Sequence, residues 1–237
     1  MVCNTGVSLT PTIDNRVHHF IVGGIYDGLF MMKDLETGTL WNHITGEAMH
    51  GPLAGRRLTG SNLLQANVKE ALAMDAEMHV AISDRPITTR AGGRVGSGPF
   101  NPNADLNDKF KGSLGVEDTR RPRMDIGLGI WTSGTRRYYP MERIRERGGA
   151  LLDQVDGRTL LVYIEPESST PVALFVNATG LQWDQRKLRL DTGDVLGAGV
   201  IVNRSGNRRT PERPSQLFTR WYGFSLTFPG CEVFGNN

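Results

Sequence analysis

This sequence lacks long apolar runs, has few cysteines and carries little net charge. No stretch reaches the roughly 18–20 uninterrupted apolar residues of a membrane-spanning helix, so such a helix is not expected. The 27 lysines and arginines against 25 aspartates and glutamates leave a formal net charge of +2. Because general nucleic-acid binders present a strongly basic face, nucleic acid is not an expected partner. A hydrophobic fraction of 38% with 22% charged residues indicates a chain that folds.

The signature spacings of several enzyme classes are missing as well. The chain has no phosphate loop of the GxxxxGKS or GxxxxGKT type, no HExxH zinc helix, no GxSxG nucleophile elbow and no CxxC pair. The glycine-rich stretch 193–199 lacks the GxGxxG order of a dinucleotide site and is interpreted as a strand passing into a loop. These absences disfavour the common enzyme classes.

The first residues lack the basic and apolar regions of a secretory signal. The chain as written is therefore expected to be cytoplasmic, or extracytoplasmic if its original beginning is missing. Its two cysteines, Cys3 and Cys231, allow a disulfide, two free thiols or one thiol in a site. Two cysteines do not decide the redox compartment.

The 29 glycines and 12 prolines indicate many turns and short strands. Three segments are predicted for the sequence: an N-terminal β-meander plus helix over 1–83, a long loop or linker over 84–125, and a β-rich half over 126–237 packed with the first into one globule. The predicted first-half elements are strands 17–22, 29–33 and 39–44, a helix 63–75 that Asn62 caps, and a strand 79–82.

The second half is predicted to be mostly strands. Asp156-Gly157 between two apolar runs is the strongest hairpin signal in the chain. Its predicted elements are strands 126–131, 151–155, 159–164, 172–176, 181–190 and 231–234, a helix 141–147 that Pro140 opens, and a helix that Ser215 caps and that carries Phe218, Trp221 and Tyr222. The expected fold class is α+β, predominantly β, with meander-based antiparallel sheets and a few short helices.

Potential metal ligands are concentrated in the first fifty residues, namely Cys3, His18, His19, His43, Glu47, Met49 and His50. Thiolate and imidazole are side chains that zinc and copper prefer. The sharpest predicted ligand set is Cys3, His43 and His50, which would hold a copper or zinc ion with an open position. Asp34 or Glu47 would orient a ligand or act as general base, and Trp41 and Tyr26 are the candidate cofactor-binding side chains.

Other interpretations of these residues stay open. The histidines can cap turns and bond to backbone carbonyls, and strand alternation sends one of His18 and His19 inward and the other to solvent. Cys3 can be a nucleophile if a neighbour lowers its pKa, whereas Cys231 beside an apolar strand is interpreted as a packing residue.

Several sequence blocks resemble the prokaryotic domain of unknown function family 3179. They are Cys3, Asp14, Val22-Gly23-Gly24-Ile25-Tyr26, Asp34-Leu35-Glu36-Thr37-Gly38-Thr39-Leu40-Trp41, Thr45-Gly46-Glu47-Ala48 and Gly51-Pro52-Leu53-Ala54-Gly55, then Gly127-Leu128-Gly129-Ile130, Tyr139-Pro140 and Trp221-Tyr222-Gly223-Phe224 with Phe228-Pro229-Gly230. The DxETGTxW and GPLAG blocks are the specific ones. The resemblance implies exported or membrane-anchored proteins of bacteria and archaea, and it implies no established activity.

The hypothesis that follows is a Cys/His metal-binding protein or metalloenzyme. The alternative is a non-catalytic ligand- or partner-binding domain whose histidines are structural. The substrate, the oligomeric state and the identity of the metal stay open at this point.

Overall fold

The structure is a computed structural model that describes residues 6–79, 84, 106, 108–197 and 199–235. These residues form an α+β fold that is predominantly β, as the sequence predicts. The strands are β1 (Ser8–Leu9), β2 (Thr12–Ile13), β3 (Arg16–Val17), β4 (Phe20–Tyr26), β5 (Leu29–Asp34), β6 (Leu40–Asn42), β7 (Ala48–His50), β8 (Gly60–Ser61), β9 (Ile126–Trp131), β10 (Arg136–Pro140), β11 (Ala150–Val155), β12 (Arg158–Ile164), β13 (Pro171–Phe175), β14 (Leu181–Asp184), β15 (Lys187–Leu190), β16 (Val195–Gly197), β17 (Val200–Val202), β18 (Arg208–Arg209), β19 (Ser215–Arg220) and β20 (Glu232–Val233). The helices are α1 (Val68–Met74), α2 (Asp108–Lys111), α3 (Met141–Glu146) and α4 (Trp221–Thr227). In this part of the chain no helix is both long and apolar enough to cross a bilayer.

The first half contains the predicted meander, a four-stranded antiparallel sheet in the order β4-β5-β6-β7. The predicted strand 17–22 is wrong as one element, because β3 ends at Val17 and β4 begins at Phe20. The backbone N–H of His18 donates to the carbonyl of Pro11, 2.8 Å away, and β3 pairs with β2 in a small separate sheet. The chain therefore changes sheets at the two histidines.

The helix of the first half is shorter than predicted and has a different cap. It begins at Val68, and the side chain of Asn67 accepts the N–H of Glu70 as its N-cap, 2.9 Å away. Asn62, the predicted cap, instead bonds to the carbonyl of Pro214 and accepts the N–H of Gln216. Val68 is 68% exposed, and the buried residue of the helix is Glu70.

Most of the predicted linker 84–125 and the predicted strand residues 80–82 lie outside the described residues. His79, the first residue of that predicted strand, is described and is not in a strand. The described part of the linker contains α2 and the segment that leads into β9.

The second half is built around a sheet in the order β19-β9-β10-β20. The prediction of a helix starting at Ser215 is wrong, because Ser215–Arg220 forms β19 and pairs antiparallel with the whole of β9. The helix starts only at Trp221, whose N–H donates to the carbonyl of Asp125. Its aromatic side chains are core residues: Trp221 and Phe224 are fully buried against Tyr138. The pair β10–β20 is parallel, which is a departure from the antiparallel expectation.

Two further sheets complete the second half. The hairpin predicted at Asp156-Gly157 is confirmed: it joins β11 to β12, and both residues have positive φ, 49° and 73°. A five-stranded sheet in the order β14 to β18 follows. The predicted strand 181–190 is a hairpin instead, because Gln185 adopts φ 55° and turns β14 back onto β15. The helix 141–147 is confirmed as Met141–Glu146.

Residues of both halves meet in shared contacts. Leu29 and Ile44 pack against Leu217 of β19 in one buried cluster, with Trp131 beside them. The side chain of Asn62 bridges to the start of β19 in the same region. The meander is therefore held against the sheet of the second half through β19.

We expect Gly129→Ala to destabilise the fold strongly, since a Cβ at this position of β9 would overlap the ring of Phe224. Such overpacking costs about 1–3 kcal/mol. The matched control is Gly197→Ala in β16, where the added Cβ meets only Lys187 Cγ at 3.5 Å. Urea unfolding of both variants measures the difference, and equal losses would contradict the packing described here.

Cys231 provides a second prediction, because burial raises the pKa of its thiol to about 11. In a Cys3→Ser variant, iodoacetamide should alkylate Cys231 at pH 8 about 100-fold more slowly than a peptide thiol. Since the fold disfavours the thiolate, the corresponding stability is present below pH 9.0 and lost as the pH rises towards 11. Alkylation at the peptide rate would show that the thiol is accessible.

Candidate metal centre

Asp34, the last residue of β5, has a fully buried side chain. Its carboxylate accepts hydrogen bonds from the indole N–H of Trp41 at 2.8 Å and from the backbone N–H of Thr37 at 2.7 Å. The hydroxyl of Thr37 lies 2.8 and 2.9 Å from its two oxygens. The structure thus brings together Asp34 and Trp41, two of the side chains singled out from the sequence.

The local sequence explains this geometry. An aspartate side chain that accepts the backbone N–H of a following residue stabilises the turn between them. Gly38 supplies the left-handed backbone position of this turn, with φ 73°. The next threonine, Thr39, is also fully buried, and its hydroxyl lies 2.6 Å from that of Thr37. The loop of the GPLAG block covers it, because Leu53 donates its N–H to the Thr39 hydroxyl and a Cβ at Gly51 would lie 2.8 Å from Thr39 Cα.

The hydrogen bonds decide the charge of Asp34. Burial alone would raise the pKa of this carboxyl group, but the hydrogen bonds from Trp41 and Thr37, with His18 beside them, lower it below its usual value of 3.8. Asp34 is therefore ionised at neutral pH, as a metal ligand must be.

Two histidines approach this carboxylate from the segment before β4. His18 is 8% exposed, and its Nδ1 lies 3.4 Å from Asp34 Oδ1 and 3.8 Å from Glu36 Oε2. His19 is 73% exposed and donates to Glu36 through its backbone N–H at 2.9 Å and its ring Nδ1 at 2.7 Å. One ring is inward and the other faces solvent, which confirms the expectation from the sequence.

The side chains of His18, Asp34 and Glu36 form a group that could hold a metal ion, since one ligand atom of each lies within 4.8 Å of the others. A tetrahedral zinc with bonds of 2.0–2.1 Å places its ligand atoms about 3.3 Å apart. Over the described ranges, this is the one cluster of three or more histidine, cysteine or acidic side chains whose ligand atoms all lie within 4.8 Å of one another.

The structure places His43 and His50 elsewhere. His43 follows β6 and donates its Nδ1–H to the carbonyl of Phe30 at 2.6 Å. Its imidazole also makes an edge-to-face contact with the phenyl ring of Phe30. Burial lowers the pKa of His43, so its imidazole is neutral at pH 7. His50 is exposed on β7, opposite Leu40.

The remaining residues singled out from the sequence lie on the surface or outside the described residues. Glu47 forms an exposed ion pair with Arg57, 3.5 Å apart, and Tyr26 at the end of β4 is 65% exposed. Cys3 is outside the described residues.

Sequence reasoning missed Glu36 as a potential ligand and did not join His18 to Asp34. The signal was present in the predicted meander. Pairing of Phe20 with Asp34 puts the histidines that precede β4 beside the turn that follows β5, and Leu35 donates its N–H to the carbonyl of His19.

Trp41→Phe tests whether the indole N–H supports the buried carboxylate. We expect a loss of about 1.5–3 kcal/mol in the free energy of unfolding at pH 7, because a hydrogen bond to a charged acceptor disappears. The matched control is Trp183→Phe, whose indole donates to the neutral carbonyl of Gly148 at 2.9 Å. It should cost about 0.5–1.5 kcal/mol. Urea unfolding in the presence of EDTA measures both, and equal losses would show that Asp34 does not depend on the indole.

Comparison with known proteins gives a family for this chain. Neither the curated proteins nor the solved structures contain a significant match. Residues 1–210 match the family described as Protein of unknown function (DUF3179), a range that contains the DxETGTxW and GPLAG blocks and the whole cluster around Asp34. The blocks around Trp221 and Phe228 lie beyond that range. The match covers far more than half of the chain, so the chain belongs to the DUF3179 family.

Proposed function

We propose that this chain is a metal-binding domain in which His18 Nδ1, Asp34 Oδ1 and Glu36 Oε2 hold one zinc or copper ion. The observation that carries the proposal is the distance from His18 Nδ1 to the two carboxylates, 3.4 Å to Asp34 Oδ1 and 3.8 Å to Glu36 Oε2. Both separations exceed the 2.7–3.2 Å of a good hydrogen bond. They are close to the separation of two ligands on one tetrahedral ion.

Asp34 has coordination capacity left for this role. A carboxylate offers about four lone-pair sites. The indole of Trp41, the N–H of Thr37 and the single hydroxyl proton of Thr37 use three of them. When the Thr37 hydroxyl proton lies on Oδ2 rather than on Oδ1, the remaining site is on Oδ1, the atom that faces His18.

Neighbouring groups would orient the ligands. His19 holds the Glu36 carboxylate with two hydrogen bonds, and Trp41 and Thr37 hold that of Asp34. Outer partners of this kind raise metal affinity by fixing ligand geometry. Glu36 is 35% exposed, so the site opens to solvent on its side. Three protein ligands with an open position are typical of zinc sites that bind water or a small ligand.

The ligand set Cys3, His43 and His50 stays a second proposal for the same function. The hydrogen bond from His43 Nδ1 to Phe30 leaves Nε2 with its lone pair on a neutral ring, which is the state that a metal requires. Phe30 and Asp34 lie four residues apart on β5, so the carbonyl that His43 binds is roughly 13 Å along the strand from Asp34.

Zinc and copper titrations of the metal-free protein separate these proposals. We expect the parent to bind about one equivalent of zinc or copper. His18→Ala/Glu36→Gln should bind it at least about 100-fold more weakly, because two of three ligands are lost. His43→Ala/His50→Ala should bind as the parent does. Isothermal titration calorimetry and elemental analysis measure affinity and stoichiometry.

The control is Glu146→Gln, which changes an exposed glutamate of α3 that belongs to neither ligand set. Thermal unfolding of every variant verifies that it is folded. Loss of metal only in the His43/His50 variant would assign the site to the second ligand set. A parent that binds neither ion would leave a non-catalytic ligand- or partner-binding domain with structural histidines as the function.

A further inference from the structure

A cavity of about 590 Å³ lies between α1 and the five-stranded sheet, on elements separate from those that hold Asp34. Its apolar wall consists of Val195, Val200 and Val202 from the sheet and Ala73 from the helix. A volume of this size lies in the range of small-molecule sites, which combine apolar walls with a few polar groups.

Both ends of α1 are fastened beside this cavity. Near its start, Asn67 donates to the backbone carbonyl of Glu167 at 2.7 Å, and Lys69 bonds to the Glu167 carboxylate at 3.0 Å. At its end, Arg208 of β18 donates to the carbonyls of Ala73 and Met74, each 3.0 Å away. These bonds tie the helix to the chain segments that form the other walls.

Glu70 is one of two buried acids in the cavity lining, the other being Glu165. Glu70 is only 4% exposed, and its Oε2 has no hydrogen-bond partner among the described residues. Arg213 interacts with Glu70 electrostatically, yet its guanidinium donates to the carbonyls of Ala173 and Gly199 at 3.5 and 3.3 Å. A buried carboxylate oxygen without a donor is costly to a fold, which favours a donor that a bound ligand supplies.

The charges around the cavity restrict the chemical class of the ligand that would carry this donor. Lys69 and Arg186 pair with Glu167, and Arg189 pairs with Asp184. Lys187 lines the same cavity, and the described residues offer it no ion pair or hydrogen bond. The lining thus holds two buried carboxylates, Glu70 with its open acceptor and Glu165, and one ammonium with open donors.

We infer that the cavity binds a small aliphatic zwitterion, a free amino acid such as leucine. Its ammonium group donates to Glu70, its carboxylate faces Lys187, and its aliphatic side chain lies on the valines of the sheet. A purely cationic ligand would leave Lys187 unpaired, and a purely anionic one would leave Glu70 without its donor. This inference is independent of the proposed metal site.

The test uses three ligands that differ by one charged group each. L-Leucine, isoamylamine, which lacks the carboxylate, and 4-methylpentanoate, which lacks the ammonium group, are titrated into the protein in the presence of EDTA. We expect saturable binding of leucine and at least about 10-fold weaker binding of each truncated ligand. NMR chemical-shift changes measure the affinities. No saturable leucine binding at concentrations up to about 10 mM would overturn the inference.

Glu70→Gln provides the matched variant, and Glu146→Gln on exposed α3 is its control. We expect Glu70→Gln to abolish the preference for leucine over 4-methylpentanoate, while Glu146→Gln leaves it unchanged. Without ligand, Glu70→Gln should shift the midpoint of urea unfolding upwards, because it replaces a buried carboxyl group whose Oε2 lacks a donor. A downward shift would mean that the carboxylate has a structural partner, and the inference would be wrong.

Discussion

The buried carboxylate of Asp34 is the constraint on which the first half of the chain depends. Its charge is kept out of water, and its donors come from the turn amide and hydroxyl of Thr37 and from the indole of Trp41 on the next strand. Because a buried charge that loses its partners costs several kcal/mol, the turn and the meander are energetically coupled. The same unit extends through Thr39 to the GPLAG loop. The two most specific sequence blocks of the family are therefore the two sides of one hydrogen-bonded structure.

Asp34 and Glu70 are two buried acids of this chain that differ in the hydrogen-bond donors around them. Asp34 is surrounded by donors, which lower the pKa of its carboxyl group. Glu70 is buried to nearly the same degree, but its Oε2 has no donor. An unsatisfied buried group in a native fold calls for an explanation, and one explanation is a ligand that supplies the missing donor. The two acids direct attention to different parts of the molecule, the end of β5 and the space beneath α1.

The elements that sequence reasoning identified correctly are those whose signals are local. Asp156-Gly157 defines its hairpin by turn chemistry alone. Elements that depend on distant partners were misassigned. Ser215 looks like a helix cap, but pairing with β9 makes its segment a strand. In the candidate site, Asp34 and Trp41 stood out, whereas joining His18 to Glu36 required the register of β4 against β5. No periodicity could have revealed that α1 buries a glutamate.

The pairing of β9 with β19 also has a kinetic consequence. The two strands meet residue for residue although they lie roughly 90 residues apart in the chain. Closing so large a loop costs conformational entropy before the contacts between the two strands can stabilise the structure. The hairpins β9–β10 and β11–β12 close over only a few residues. We therefore expect the hairpins to form before β19 pairs with β9. Since β19 also carries Leu217, which packs on Leu29 and Ile44, its docking also brings the meander against the second half.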